Sequence, residues 1–226
     1  IKRMMTPIVN RTTLLNSYLS ERKNSSYLEI GVRNGENYFA INAKRKFGVD
    51  PNYFFAKRAL LKSWLKKSNR TQRMFRCTSD HFFLHHAAQV CEKGEFDLIF
   101  IDGMHTYEQS LQDAVNSLNF LKRDGRIVFH DCNPWSEESA QPHIPSGKVS
   151  WNGDVWKTIF HLRQHQEIFE CFTYEADEGL GILKWRNNAS DLIPPELSPQ
   201  PSIKNLTYAD LQKKRNEYLG LRVLEM

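Results

Sequence analysis

Phe96-Asp-Leu-Ile-Phe-Ile-Asp-Gly-Met-His105 is the stretch on which the reading of this chain turns. Residues 96–101 form a short, almost continuously apolar run rich in aromatic and β-branched side chains. A run without polar alternation predicts a strand buried on both faces, as in a parallel sheet covered by helices. The run stops at an acid and a glycine, with a histidine three places after the acid. The pattern recurs downstream, where Ile127-Val-Phe129 leads into His130-Asp131. Acids and histidines directly after buried strands are how an open α/β sheet presents chemistry at its carboxyl edge.

The flanking sequence fits. Residues 107–121 read as a helix with Leu111, Val115, Leu118 and Leu121 on one face, and Asp124-Gly125 turns into a strand over 126–130. Upstream, strands over 27–31, 46–50 and 73–77 alternate with helices over 37–44, 53–65 and 81–91. A helix over 6–22, capped by Thr12 or Thr13, precedes them with Leu14, Leu15, Tyr18 and Leu19 at helical spacing. Downstream come a helix over 155–165 and a hairpin of 169–174 and 181–185. A proline-rich linker over 193–201 and a helix over 206–219 complete the chain. Residues 132–153, rich in Pro, Ser and Gly, lack periodicity and read as a lid or binding loop. The expectation is an α/β, doubly wound, Rossmann-like and mostly parallel sheet of seven strands, one of them antiparallel, with helical extensions at both termini. One domain is expected, with an N-terminal extension over 1–25, a cofactor-binding core over 26–186 and a linker and last helix over 187–226.

Composition narrows the classes. Of 226 residues 40% are hydrophobic, which supports a sizeable core and excludes wholesale disorder. The net charge of +5 is mild. The densest basic stretch, 57–76, also holds leucines and a tryptophan and reads as a solvated helix face, so nucleic acid is not the expected partner. Nor is a membrane, because no apolar run approaches the roughly 20 residues of a span. The four cysteines have no CxxC spacing, which speaks against a zinc ribbon or disulfide scaffold and for a reducing compartment. Ile1-Lys-Arg-Met-Met5 lacks the apolar core of a signal peptide, so a cytoplasmic location is expected.

Glu29-Ile-Gly-Val-Arg-Asn-Gly35 lies between a strand and a helix, where glycine permits a tight turn and close ligand approach. Asp50 ends the next strand about 20 residues on, where an acid accepts ribose hydroxyls. Arg33 stands where a middle glycine would admit a pyrophosphate, so the turn suits a smaller head group than a dinucleotide, against an NAD-linked dehydrogenase. Ser79 and Asp80 follow the third strand, placed to bond an adenine edge or to cap the helix behind them.

With these residues in view, the chain resembles the class I S-adenosylmethionine-dependent methyltransferases over about 27–185. Glu29 to Gly35 looks like their first motif, Gly48-Val-Asp50 like their ribose acid, and Asp177-Glu-Gly-Leu-Gly-Ile-Leu183 like their antiparallel last strand. The resemblance implies cofactor contacts from Glu29, Gly31, Val32, Asn34, Gly35, Asp50, Ser79, Asp80 and Asp102, with Gly31 and Asn34 against the methionine part. Asp102-Gly-Met-His105 with His130-Asp131 is similar to the metal-dependent small-molecule O-methyltransferases of the macrolide-sugar and catechol types. That likeness implies Asp102 and Asp131 as ligands of a divalent metal, His105 as general base and His130 as a third ligand. Mg2+ is the implied ion, with Mn2+ or Fe2+ favoured if an imidazole binds. Cys132 departs from the catechol type, in which Asn follows the second acid; here Asn133 is one place later.

The expected acceptor is a hydroxyl of a small molecule, a sugar or natural product, with Trp135, Trp151 and Trp156 lining its pocket or filling core. Asp154 either caps a helix or reaches the acceptor. His81, His85 and His86 carry no assigned role. Two alternatives stay open: a metal-independent N- or C-methyltransferase that keeps His105 as base, and a non-catalytic S-adenosylmethionine-binding module. The terminal helices cover the acceptor site or build a homo-oligomer.

Overall fold

A computed structural model describes residues 10–144, 146, 151–186 and 197–224. At its centre β4 (Phe96–Ile101) has all six residues buried, as a run with no polar face requires. It pairs in parallel with β1 (Ser26–Ile30) on one side and β5 (Leu121–Phe129) on the other. β2 (Arg45–Val49) and β3 (Gln72–Phe75) extend the sheet in parallel beyond β1. β7 (Leu180–Trp185) runs antiparallel to both β5 and β6 (Phe169–Tyr174), so it is the one reversed strand.

The order is β3-β2-β1-β4-β5-β7-β6-β8, eight strands among the described residues where seven are expected. The additional β8 (Leu221–Arg222) has only two residues, too few to show periodicity. It forms because the chain turns at Gly220 and runs along β6, with the Glu175 amide donating to the Arg222 carbonyl at 3.0 Å.

Alternate residues of β4 feed two cores. Leu98 and Phe100 join Tyr27, Val128 and Ile182 under α1 (Arg11–Ser20) and α2 (Glu36–Ala40). Ile99 and Ile101 join Leu28 and Phe129 under α6 (Tyr107–Leu118), α7 (Trp156–Arg163) and α9 (Tyr208–Leu219). α3 (Lys57–Trp64) leads to β3. The helix expected over 81–91 starts earlier, at α4 (Ser79–Phe82) capped by Thr78, and passes through a π turn into α5 (Ala88–Val90). α8 (Pro201–Lys204) precedes α9.

Asn10, not Thr12 or Thr13, caps α1: its side chain accepts the Thr13 amide at 3.0 Å while the Thr13 hydroxyl accepts the Asn10 amide at 3.1 Å. α2 stops at Ala40, four residues short of expectation, because Ile41 is already extended. Expected structure over 6–9, 147–150 and 187–196 lies outside the described residues. No helix among the described residues is long and apolar enough to cross a membrane.

Strand order reverses between β1 and β4. In open parallel sheets ligands bind at such a switch, beyond the carboxyl ends of the strands. Gly31 and Asp102 lie at that point.

Candidate active site

The ladder holds the two strand ends level. Asp102 donates its amide to the Ile30 carbonyl at 2.8 Å, and His130 donates to Ile101 at 3.0 Å. The chain then turns at Asp131, a non-glycine residue at φ +61°. Cys132 and Asn133 donate to Gly179 and Glu178, both at 3.0 Å. A left-handed aspartate costs roughly 1 kcal/mol and marks a position where the turn matters more than local comfort. Here the turn brings the Asp131 carboxylate back over the end of β4.

His105 sits between the acids. Its Nε2 is 3.3 Å from Asp102 Oδ1 and its Nδ1 is 3.3 Å from Asp131 Oδ2. Nδ1 also lies 2.8 Å from the Trp151 carbonyl, with the two rings stacked at 5.2 Å. A carbonyl only accepts, so Nδ1 carries a proton, and when the ring is neutral Nε2 is the nitrogen with the lone pair. Burial alone would lower the pKa of His105, but Asp102, Asp131 and the Trp151 carbonyl outweigh it and hold the pKa above the usual value. Asp102 goes the other way: burial would raise it, yet His130 and His105 keep it far below the carboxylate range.

His130 is nearly fully buried behind them. Its Nδ1 lies 2.8 Å from Asp131 and 3.4 Å from Asp102, and its Nε2 is 3.5 Å from Asp177. Neither nitrogen is aligned for a hydrogen bond. Burial opposes its protonation, and the surrounding acids, Asp102 first, override that and raise its pKa.

Asp102, His105 and Asp131 each offer a ligand atom within 4.8 Å of the others. Two carboxylate oxygens and an imidazole nitrogen suit a divalent first-row cation. The unpartnered Asn152 Oδ1, on a side chain that already bonds Asp131, is a buried polar atom that such a charge would organise. The grouping takes its imidazole from His105, while His130 stands behind it.

Most residues expected to contact a cofactor lie on the same edge. Gly31, at φ +89°, packs its α-carbon on the Asp102–Gly103 backbone. Val32 is core, Asn34 accepts the Glu36 amide at 3.1 Å, and Gly35 starts α2 at φ +80°. Asp50 accepts the amides of Arg33 and Asn52, both at 2.7 Å. Each of its oxygens has used one lone pair and keeps another for a ribose hydroxyl. Ser79 and Asp80 share the Gln109 side-chain amide at 3.4 and 3.2 Å.

Glu29 does not face this edge openly. It is buried, accepting from the Tyr27 hydroxyl and from Asn37 Nδ2 at 2.9 Å, and burial pushes its pKa up to about 8. A carboxyl raised from 4.5 stabilises the fold fully below that pH and ceases to do so as pH rises through about 8. Glu29→Gln, which mimics the protonated acid, will therefore match the parent in thermal denaturation near about pH 5 and exceed it near about pH 9. Equal melting at both pH values would refute this.

Several site residues had no role in the sequence reading. Arg11 Nη1 is 3.0 Å from Asp102, and its Nε is 3.0 Å from Asp177, so α1 is tied across the site. Asn152 donates to Asp131 at 2.8 Å and to Glu178 at 3.2 Å. Asp154 accepts the Tyr107 amide at 2.7 Å, which secures the start of α6 and does not reach the site. Trp156 is core, stacked on Tyr218, whereas Trp135 is 58% exposed. A cleft of about 340 Å3 beside Trp135 is lined by Asn133, Asp177 and Glu178.

A sequence profile described as "Methyltransferase domain" matches residues 28–132, from β1 through both strand-end acids. Over that stretch, a little under half of the chain, the protein is similar to a methyltransferase domain. The fold is shared with solved structures. A methyltransferase of Podospora anserina, PaMTH1, bound to S-adenosylhomocysteine, is 16% identical with 78% of each chain covered and a TM-score of 0.52. The O-methyltransferase TomG of Streptomyces achromogenes, involved in tomaymycin synthesis and solved with S-adenosylmethionine, is 13% identical, with 78% of this chain and 79% of that chain covered and a TM-score of 0.57. No curated protein matches this chain in sequence.

Proposed function

We propose that the enzyme methylates a hydroxyl of a small molecule, a sugar or natural product, with His105 as general base and with Mg2+ or Mn2+ held by Asp102 and Asp131. The observation that carries this is the fixed tautomer of His105. The Trp151 carbonyl accepts a hydrogen bond from Nδ1–H, so in the neutral ring the basic nitrogen is Nε2, at the end of β4. TomG, an O-methyltransferase of the same fold, supports oxygen as the acceptor atom.

S-adenosylmethionine supplies an electrophilic methyl on sulfonium sulfur. A divalent cation, when bound, lowers the acceptor hydroxyl's pKa and fixes its orientation. Gly31, Asn34 and Asp50 bind and orient the cofactor at the switch point. Asp102 and Asp131 would hold the cation, with Asn152 steadying Asp131. His105 Nε2 takes the hydroxyl proton as the oxygen lone pair forms the new bond to carbon and the sulfur keeps the electrons of the old one. The cleft beside Trp135 supplies an aromatic face and carboxylate acceptors for a polyhydroxylated acceptor.

A second reading rests on the donor geometry. His105 Nε2 is itself within the metal-ligand group, and one lone pair cannot bind a cation and accept a proton together.

Calorimetric titration of EDTA-treated protein with S-adenosylhomocysteine, then with Mg2+ or Mn2+, tests the proposal. Cofactor binding is expected in the parent and in Asp131→Ala, with metal binding lost in Asp131→Ala and retained in His105→Ala. Metal binding lost in His105→Ala moves that residue to the ligand set. No S-adenosylhomocysteine binding refutes the site.

A further inference from the structure

Helix α3 wears its apolar residues outward. Ser63 is its one buried residue. Leu61 and Trp64 are 73% and 69% exposed, and Leu65, just past the helix, is 81% exposed. Leu61 precedes Trp64 by three residues and Leu65 by four, so the three form one stripe facing solvent. Phe54, ahead of the helix, is exposed as well. Contiguous large apolar side chains on a free surface mark a binding face.

The charges around the stripe identify what covers it. Lys57, Arg58, Lys62 and Lys67 are exposed and have no ion pair among the described residues. Over 51–76 the chain holds eight Lys and Arg, at 57, 58, 62, 66, 67, 70, 73 and 76, and no Asp or Glu. We propose that this face docks on an anionic lipid surface. Leucines and a tryptophan enter the boundary between headgroups and acyl chains while flanking lysines and arginines reach lipid phosphates. A second copy of the chain would bring the same unrelieved positive face against itself. A nucleic acid would use the cations but offer nothing apolar to bury Leu61 and Leu65.

The link to the reaction edge is short. Between Asp50 and α3, Phe54 donates to the Arg33 carbonyl at 2.9 Å and Tyr53 stacks on Phe55 at 4.8 Å. The docking face is thus joined through a few packed residues to the glycine turn.

The test is flotation of the full chain with phosphatidylcholine vesicles, with and without about 30% phosphatidylglycerol. Binding is expected to the anionic vesicles alone, weakening as salt rises. Leu61→Ser with Leu65→Ser, and separately Lys57→Glu with Arg58→Glu and Lys62→Glu, should each weaken binding by about tenfold or more. Both variants should keep S-adenosylhomocysteine affinity, which shows that they remain folded. No flotation by the parent, or equal flotation by folded variants, overturns the proposal. A dimer in sedimentation that dissolves in the leucine variant assigns the face to a second copy instead. Tight binding to an RNA oligonucleotide, lost in the charge variant but kept in the leucine variant, assigns it to nucleic acid instead.

Discussion

His105→Ala will lower kcat for methyl transfer by about a hundredfold to ten-thousandfold while leaving S-adenosylhomocysteine affinity nearly unchanged. The size follows from the work left undone. An acceptor hydroxyl must lose its proton as the carbon–oxygen bond forms, and no other imidazole offers an open lone pair at the end of β4. His130 is buried, and the acids around it, Asp102 first, raise its pKa against the effect of burial. The pH profile carries a second reading. Burial lowers the His105 pKa, but the nearby carboxylates and the Trp151 carbonyl raise it further than burial lowers it. The basic form therefore gains population only as pH rises through a value above the usual one, and kcat/KM should climb over that range. Added Mg2+ or Mn2+ offsets the charge of Asp102 and Asp131, which weakens their hold on the proton and moves the climb to lower pH. The alanine variant should lose the climb altogether. A variant with parental kcat, or with the same ascending limb, would remove His105 from the role of base.

The strand-end chemistry was legible because β4 and the end of β5 are apolar runs long enough to be read alone. Whatever directly follows such a run is placed by the sheet, so Asp102, His105, His130 and Asp131 converge as their spacing implies. The acid at Asp50 was legible for the same reason. What closes the site was not. The Trp151 carbonyl that fixes the His105 tautomer is a backbone group, and backbone groups have no residue signature. Arg11 reaches Asp102 and Asp177 only because α1 packs over β4, a long-range contact that no local pattern encodes. Asp177 and Glu178 were readable as the approach to a strand, but their left-handed backbone, at φ +47° and +62°, has no local sequence signature, and Glu178 meets Asn133 only through a long-range backbone hydrogen bond. At α3 the helix and its basic residues were legible, but the outward direction of Leu61 and Trp64 was not. A helical repeat says that one face is apolar without saying whether that face meets the core.

Gly31→Ala will destabilise the protein by about 3 kcal/mol or more and weaken S-adenosylhomocysteine binding, whereas Gly94→Ala will cost about 1 kcal/mol and leave binding intact. The pair separates two effects that are usually confounded. Both glycines have positive φ, +89° at Gly31 and +66° at Gly94, so both alanines bear the strain of an L side chain in that region. They differ in what a β-carbon meets. At Gly94 nothing lies within 4 Å, and the backbone strain stands alone. At Gly31 the nearest atoms are the Asp102 carbonyl and the Gly103 amide nitrogen, which belong to backbone and cannot swing aside. Relief requires β1 and β4 to part at the switch point. The Asp102 amide would then leave the Ile30 carbonyl, and the Asp102 carboxylate would move relative to Asp131. Stability and the reaction site are thus coupled through one missing methyl group. Thermal denaturation of both variants with S-adenosylhomocysteine titration decides it. Equal melting losses would show that strain alone governs Gly31, and a destabilised Gly31→Ala with parental cofactor affinity would show that the β1–β4 contact does not shape the binding edge.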